Sequence, residues 1–470
     1  MAESELQTDC KKISVKSKAM KKFTILFFIV SFLNAKSQFI KLHDFSGADG
    51  SNPSGGLITD GTYLYGMTEQ GGVGGHSAFG AGVIFRILPD GSGYQKIVNL
   101  ADITPKDPWY PICSPYSDGT FLYGTTEEDD PDDHGTGYGA VFKVKFDGSQ
   151  YTRLYEFTGG FDGAYPQASL VSDGTFLYGT TALSSIFKLK PDGTSFSVLS
   201  NFQYLESALL YNNNYLYGTS LEGTNGNGAI FKIKTDGSDF TKLYDCHSAT
   251  GIYPNGSLVL DGTYLYGTTE QGGSNNKGVV FKAKSDGTEY DILVNFSGVN
   301  GSEPKSSLIF DGTFLYGMTE SGGANGWGII YKVKPDGSNF VVMHNLQISD
   351  GCCSEGSLLL DGTFLYGSTN RGGANGKGTI FKININMTDV TEEVVTIFPN
   401  PSINQLYVKH TKEKGEIYIY DVTGKLLLQQ ASTDGETNID CQNISDGIYF
   451  LQYQEGTLTT NIKFIKFTLQ

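Results

Sequence analysis

Short apolar runs separated by turn residues fill most of this chain, and they keep a fixed order. Each run is about four to seven residues long and rich in β-branched and aromatic types, which predicts strands rather than helices. The tripeptide Leu-Tyr-Gly recurs with its tyrosine at Tyr65, Tyr123, Tyr178, Tyr217, Tyr266, Tyr316 and Tyr366. The mean spacing of about 50 residues is that of four-stranded propeller blades rather than of short solenoid repeats. The clearest unit runs Ser257-Leu-Val-Leu-Asp-Gly-Thr-Tyr-Leu-Tyr-Gly267, a Gly-rich loop, Val279-Val-Phe-Lys-Ala-Lys284, Ser-Asp-Gly, and Tyr290-Asp-Ile-Leu-Val-Asn-Phe296. The steps Asp261-Gly262 and Asp286-Gly287 tolerate positive φ and join antiparallel neighbours tightly. Two such hairpins give four strands per unit, and a unit cannot bury both faces alone, so units must stack.

The ends of the array predict a ring. The seventh unit stops after Thr379-Ile-Phe-Lys-Ile383 without a fourth strand, while Phe39-Ile-Lys-Leu-His-Asp-Phe-Ser46 matches the fourth-strand pattern of Asp291-Ile-Leu-Val-Asn-Phe-Ser297. A strand from one terminus completing the last blade removes exposed edges. An open solenoid would instead want polar capping repeats. The predicted fold class is all-β: a seven-bladed β-propeller over residues 38–386, a linker at 387–396, and a small immunoglobulin-like β-sandwich at 397–470. The aromatic residues of Leu-Tyr-Gly, and the Phe or Tyr two positions earlier, are expected in the inter-blade core.

Residues 1–37 read as an N-terminal extension and signal peptide. Lys21 and Lys22 precede an apolar run from Phe23 to Leu33, then Ala35-Lys36-Ser37, with cleavage expected between Ser37 and Gln38. The run is about 11 residues, short of the roughly 20 that span a bilayer. Met20 is an alternative start.

Charge narrows the choice of partner. With 34 Lys and Arg against 50 Asp and Glu, the net charge of -16 repels phosphate backbones and anionic membranes, so no nucleic-acid partner is expected. The six cysteines, Cys10, Cys113, Cys246, Cys352, Cys353 and Cys441, show no zinc or redox spacing and leave their connectivity open.

The units SLVLDGTYLYGTTEQGGSNNKGVVFKAKSDGT and SLIFDGTFLYGMTESGGANGWGIIYKVKPDGS resemble the Gloeobacter/Verrucomicrobia-type tandem repeat of secreted bacterial proteins with varied surface anchors. Repeat three departs from it with Thr181-Ala-Leu-Ser-Ser185, and repeat two carries an acidic insert. The resemblance implies a propeller-like fold and export, and supplies no catalytic residues. From Ile397-Phe-Pro-Asn-Pro401 a second pattern begins, continuing through Ile417-Tyr-Ile-Tyr-Asp-Val-Thr-Gly-Lys425, Asp446-Gly-Ile-Tyr449 and Lys463-Phe-Ile-Lys466. Its order is similar to the type A sorting domain of the type IX (Por) secretion system. That resemblance implies the type IX machinery as partner, and a protein secreted or held at the outer-membrane surface.

Chemistry is sparse. His43, His76, His134, His247, His344 and His410 have no repeated carboxylate or nucleophile beside them, and no catalytic residue is assigned. The insert Glu127-Glu-Asp-Asp-Pro-Asp-Asp-His134 gathers carboxylates, and Asp129, Asp130, Asp132 and Asp133 are the candidate calcium ligands; a solvated acidic loop is the competing reading, and no other cofactor is expected. The Gly-rich loops lack the Lys-Ser/Thr and helix of a phosphate cradle. Trp109 and Tyr110, in a segment that interrupts the repeat, are the candidate ligand-binding residues. The expectation is a monomeric, non-enzymatic binding or adhesion module whose propeller loops contact a glycan or a surface protein. The alternative is a secreted glycosidase or polysaccharide lyase, which needs carboxylates or a Tyr/His/Arg cluster converging from several blades at the axis. A third reading is a spacer with no ligand.

Overall fold

The computed structural model describes residues 39–73, 80–103, 108–129, 137–183, 185–202, 204–205, 207–385, 396–398, 402, 404–409, 415–433, 435–455 and 458–466. The segments expected to be signal peptide and linker fall almost wholly outside these residues. The chain forms two compact units, a larger one built from the repeats and a smaller C-terminal one. Among the described residues helix is confined to one short 3-10 turn, Leu100–Asp102. None is long and apolar enough to cross a membrane.

Within the larger unit the described strands form seven four-stranded antiparallel sheets. The fifth, Val259–Leu260, Tyr264–Thr269, Val279–Lys284 and Tyr290–Asn295, is ordered as in the sequence, each strand beside the next. The seventh is different. Its strands Leu359–Asp361, Phe364–Thr369 and Thr379–Asn384 are completed by Phe39–Asp44, which pairs antiparallel to Thr379–Asn384 with Phe39 opposite Ile383 and Asp44 opposite Thr379. Both termini of the repeat region are thereby tied into one sheet.

The repeated tyrosine fills the space between sheets. Tyr65 packs with Leu122, Phe142 and Val144 of the second sheet, Tyr123 with Leu177 and Phe187 of the third, Tyr178 with Leu216 and Phe231 of the fourth, and Tyr217 with Leu265 and Phe281 of the fifth. Tyr366 of the seventh packs with Leu64 and Phe85 of the first, so the succession returns to its start. The glycine after each tyrosine is a steric necessity: a Cβ on Gly267 would stand 2.6 Å from Phe281 Cζ. The aromatic residue two positions before the tyrosine departs from the core position expected of it. It is half-exposed under a cation of its own sheet, with Lys382 Nζ 5.0 Å from the Phe364 ring centre and Arg86 Cζ 4.7 Å from that of Tyr63. The cation that covers it also reaches the next sheet, as where Lys382 Nζ donates to Pro89 O at 2.8 Å.

A second joint repeats nearer the axis. Five of the seven segments leading into the sheets carry a proline seated on a positive-φ glycine of the sheet before: a Cβ on Gly278 would lie 2.6 Å from Pro304 Cδ, and one on Gly378 would lie 2.7 Å from Pro53 Cδ. The latter pair joins the seventh sheet to the first. Leu205 takes the proline's place before the fourth sheet and Ser354 before the seventh, and in the third repeat Ser184, outside the described residues, stands where the others have the glycine.

The Asp-Gly turn does more than admit positive φ. Asp261 Oδ1 accepts the N–H groups of Thr263 and Tyr264 at 2.8 Å each, and Oδ2 accepts the Tyr266 hydroxyl at 2.6 Å. Asp60, Asp118, Asp173 and Asp311 do the same for their tyrosines. Burial works to raise these carboxyls, but the N–H and O–H donors outweigh it and hold all five below the ordinary value. Burial first, and then the same pairing, raises the tyrosines, Tyr65 to about 12.

The C-terminal unit is a two-layer sandwich. Thr396–Phe398, Gln405–Lys409 and Glu436–Asp440 form one sheet; Leu426–Ala431, Glu416–Asp421, Gly447–Glu455 and Leu458–Lys466 form the other. Alternate residues Leu406, Val408, Ile417, Ile419, Leu451 and Tyr453 bury a shared core.

Two outcomes follow from the aspartate clamp. Asp261→Ala, which leaves two N–H groups and a buried hydroxyl without their acceptor, lowers stability by about 1–3 kcal/mol in chemical denaturation. A carboxylate depressed on folding contributes stability above its unfolded pKa and loses it as pH falls through the folded value. The thermal midpoint of the parent should therefore fall steeply below about pH 4, where free carboxyls titrate. The variant should fall less steeply; parallel curves would show that the clamp contributes nothing.

Candidate functional site

The segments leading into the seven sheets converge on a cavity of about 300 Å³ whose wall includes Ser54, Cys113, Gln167, Ser207, Asn255, Lys305 and Glu355, one from each segment. The wall is held by hydrogen bonds that pass from sheet to sheet. The Gly56 N–H donates to Ser114 Oγ at 2.7 Å and the Ser114 N–H to Ser169 Oγ at 2.9 Å. Farther round, the Ala208 N–H donates to Ser257 Oγ at 3.1 Å and the Ser257 N–H to Ser307 Oγ at 2.9 Å. Ser368 Oγ donates to Gly55 O at 2.9 Å and links the seventh sheet to the first. Small residues are needed here because seven backbones approach one axis.

At one mouth, a second cavity of about 260 Å³ is lined by Asn52, Glu69, Glu320, Cys353, Glu355, Arg371 and their neighbours. Glu355 lines both. Lys305 Nζ pairs with Glu320 Oε2 at 2.8 Å. Glu69 accepts from Ser54 Oγ at 3.1 Å and from Gln70 Nε2 at 3.0 Å, while Asn370 Nδ2 donates to Ser54 Oγ at 2.8 Å. Burial raises the Glu355 carboxyl; Lys305 and Arg371 oppose the shift, and Glu320 and Glu69 reinforce it. Burial also works against the Lys305 ammonium, yet Glu320, with Glu270 and Glu355, raises it above its ordinary value. The mouth therefore offers carboxylate acceptors and one carboxyl, Glu355, that burial makes harder to ionise.

Each leading segment enters the mouth through a left-handed residue that carries a side chain. These are Asn52, Tyr110, Tyr165, Tyr204, Tyr253, Glu303 and Cys353, with φ between 55° and 60°. Such a backbone costs about 1–2 kcal/mol for a non-glycine residue, and five of the seven stand directly before a proline, where the α regions are further disfavoured. All but Cys353 accept at the carbonyl from a residue following the second strand, as the Glu303 carbonyl accepts the Glu320 N–H at 3.0 Å. That bond fixes the level of both residues at the mouth.

The two aromatic residues expected to bind ligand stand edge to face, ring centres 5.7 Å apart, and differ in burial. Trp109 is only 5% exposed, its indole packed with Tyr65, Leu122 and Phe142 between the first two sheets, which removes it from the recognition surface. Tyr110 is half-buried at the mouth. Of the acidic insert, the Asp129 backbone pairs with Pro108, while Asp130, Asp132 and Asp133 lie outside the described residues, as do Ser37 and Gln38. Among the described residues no group of three or more His, Cys, Asp or Glu is gathered as a metal site. His43 stacks on Tyr94 at 4.0 Å and bonds Asp49, and His247 bonds Thr250. The five described cysteines are unbridged, Cys352 and Cys353 standing with sulfurs 3.2 Å apart. Glu69, Glu270 and Glu320 escape a reading of the sequence because they look like ordinary members of the repeated Thr-Glu step. The prolines at positions 53, 111, 166, 254 and 304 are the signal that could have located the mouth.

The larger unit is thus an all-β, propeller-like repeat protein with its polar residues gathered on the axis. The Gloeobacter/Verrucomicrobia repeat matches residues 28–184, 183–314 and 309–424, and the chain belongs to that family. A secretion system C-terminal sorting domain matches residues 396–467, which makes this a protein exported by the type IX route, secreted or displayed at the cell surface. No curated protein matches the chain. Among solved structures it is similar to PorZ, described as an essential bacterial surface component of the type-IX secretion system of Porphyromonas gingivalis, at 13% identity and TM-score 0.47, covering 90% of this chain and 60% of that one. The extracellular domain of the one-component system BT4673 of B. thetaiotaomicron gives 13% and 0.48, covering 92% and 59%. An oligogalacturonate lyase of Vibrio parahaemolyticus gives 11% and 0.45, covering 74% and 93%. The chain spans about three fifths of the first two proteins. With TM-scores below 0.5, none of the three lends its activity to this chain.

The electrostatics of the mouth can be checked directly. Lys305→Ala removes the stronger of the two cations opposing the Glu355 shift, so the Glu355 carboxyl should titrate at higher pH than in the parent, read by carbon-13 NMR of labelled glutamate. An unchanged or lower value would show that Lys305 and Glu355 do not interact.

Proposed function

We propose that the chain is a surface binding or adhesion module: a seven-bladed β-propeller over residues 38–386 whose charged mouth takes a glycan or a surface protein. In this reading residues 1–37 are the extension and signal peptide, 387–396 the linker, and 397–470 an immunoglobulin-like sandwich read by the type IX machinery. The observation that carries the binding assignment is the meeting of Glu69, Glu320, Glu355, Lys305 and Arg371, from several sheets, around the axial cavities. Ionisable groups brought out of sequence order into one concavity serve a ligand more readily than they serve packing. The sandwich supports its own partner assignment: Ile448, Phe450 and Ile465 of its four-stranded sheet are 40–42% exposed and offer an apolar face for docking.

Glu355 favours a second reading, a carbohydrate-active enzyme. A carboxyl pushed up by burial, in one concavity with Glu69 and Glu320, suits the general acid of such an enzyme.

The purified chain, screened on a glycan array in calcium and again in chelator, separates these readings. Reproducible binding is expected, weakened at least about tenfold by Glu320→Gln combined with Glu355→Gln, the loss of roughly one charge-assisted hydrogen bond. Binding lost in chelator would bring the acidic insert forward as a calcium site. Absence of binding in both conditions contradicts the glycan half of the proposal and leaves protein partners. New reducing ends released from a bound polysaccharide, and abolished by Glu355→Gln alone, would put the enzyme first.

A further inference from the structure

The segment leading into the seventh sheet is held less firmly than the other six. Five of those have a proline after the left-handed residue, and the one before the fourth sheet, which lacks it, still has the Tyr204 carbonyl accepting the Leu221 N–H at 3.0 Å. The seventh has neither restraint. Ser354 follows the left-handed Cys353, and among the described residues the Cys353 carbonyl lacks the bond that its six counterparts make. The Ser354 hydroxyl is buried with no hydrogen-bond partner. Yet this segment carries Glu355 onto the wall of both cavities.

The same segment holds two adjacent cysteines. Along extended backbone successive side chains point to opposite faces, which would part neighbouring sulfurs. Cys352 is fixed by its N–H, which donates to the Arg371 carbonyl at 2.7 Å, and by its carbonyl, which accepts the Arg371 N–H at 3.1 Å. The left-handed backbone at Cys353, φ 59°, takes the pair out of that alternation, and the two sulfurs meet at 3.2 Å. The first, fifth and sixth segments place Ser51-Asn52, Ile252-Tyr253 and Ser302-Glu303 on the same backbone. The geometry therefore belongs to the frame, and the sulfurs are what the seventh segment adds.

The two thiols differ in access. Cys352 is 2% exposed, and burial, then the Cys353 thiol beside it, pushes it up to about 12. Cys353 is half-buried on the wall of the second cavity, so a reagent from solution meets it first. Export delivers both to surroundings where disulfides form and persist. We propose that Cys352 and Cys353 are a modification site: after export they close into a disulfide between neighbouring residues, which staples the seventh leading segment at the mouth. The Cys353 thiolate attacks an external disulfide, forming a mixed disulfide and releasing one thiol. The Cys352 sulfur, giving up its proton, then attacks Cys353 Sγ and displaces the second thiol. Two protein thiols lose two electrons and two protons, and the external disulfide takes them up as two thiols. Adjacent Cα atoms stand about 3.8 Å apart, below the roughly 4.4–6.8 Å of an ordinary disulfide, so the bond is strained and readily reduced again.

The test treats the full native chain with oxidised glutathione, labels it with iodoacetamide after denaturation, and reads the peptide spanning Cys352 and Cys353 by mass spectrometry. That peptide should be two hydrogens short and unlabelled, and should take two labels once dithiothreitol is added, while the Cys113, Cys246 and Cys441 peptides take label throughout. Two labels without reductant, a lasting glutathione adduct, or a cross-link to another cysteine peptide overturns the inference. Cys352→Ser leaves the accessible thiol alone and should retain one glutathione; Cys353→Ser leaves only the buried thiol and should retain about tenfold less. Equal adducts contradict the order of attack. The restraint has its own readout: on oxidation, amide exchange at Ser354, Glu355 and Gly356 should slow by about tenfold or more while Val279–Lys284 is unchanged, since a loop with no intervening residue adds little to global stability. Exchange that does not change at any of the three overturns the staple.

Discussion

A four-stranded sheet of this kind has two apolar faces and two open edges, and nothing in a single repeat can satisfy them. The molecule meets that constraint through one pairing. Phe39–Asp44, the first strand of the described chain, lies against Thr379–Asn384 at the far end of the repeats. The pairing places Phe45 in one cluster with Phe85 and Ile380, so the first sheet is packed against the seventh as the others are against their neighbours. Without it the seventh sheet would lack its outer strand and the first would expose Leu64 and Phe85.

Closure also explains why the polar residues gather where they do. Backbones that converge on an axis need small residues and internal hydrogen-bond partners, which the serines of the leading segments supply from sheet to sheet. The proline seated on a glycine of the preceding sheet then turns each chain sharply at the mouth. The residue before that proline is left-handed, and the one after it lines the cavity. A steric solution to sheet packing thereby creates seven equivalent display positions, and chemistry differs among them at little cost to the frame.

Strands, turns and the completing strand were all legible in the sequence because each leaves a local mark: period, Asp-Gly, or a missing segment at one end and its match at the other. The chemistry of the turn was less visible. Asp261 reads as a residue tolerant of positive φ, and nothing local tells that its second oxygen clamps Tyr266 five residues on. Tyr264 reads as core by its aromatic character, yet Lys282 stands over its ring because both are on adjacent strands of one sheet. Trp109 looked like a surface residue because it interrupts the repeat, and it is buried for the same reason, filling space the regular pattern does not. The mouth was hidden longest. Its left-handed position holds Asn, Tyr, Glu or Cys, so no residue type repeats, and only the spacing of the prolines betrays a common backbone.

Amide hydrogen exchange of Phe39–Asp44 tests the closed ring most directly. The strand lies at the described N-terminus, where an unanchored segment would exchange within the fraying regime. A latched ring predicts that its hydrogen-bonded amides exchange as slowly as those of the interior strand Val279–Lys284, and through the same global opening. Rapid exchange at Phe39–Asp44, with Val279–Lys284 still protected, would contradict closure, and with it the explanation of the mouth.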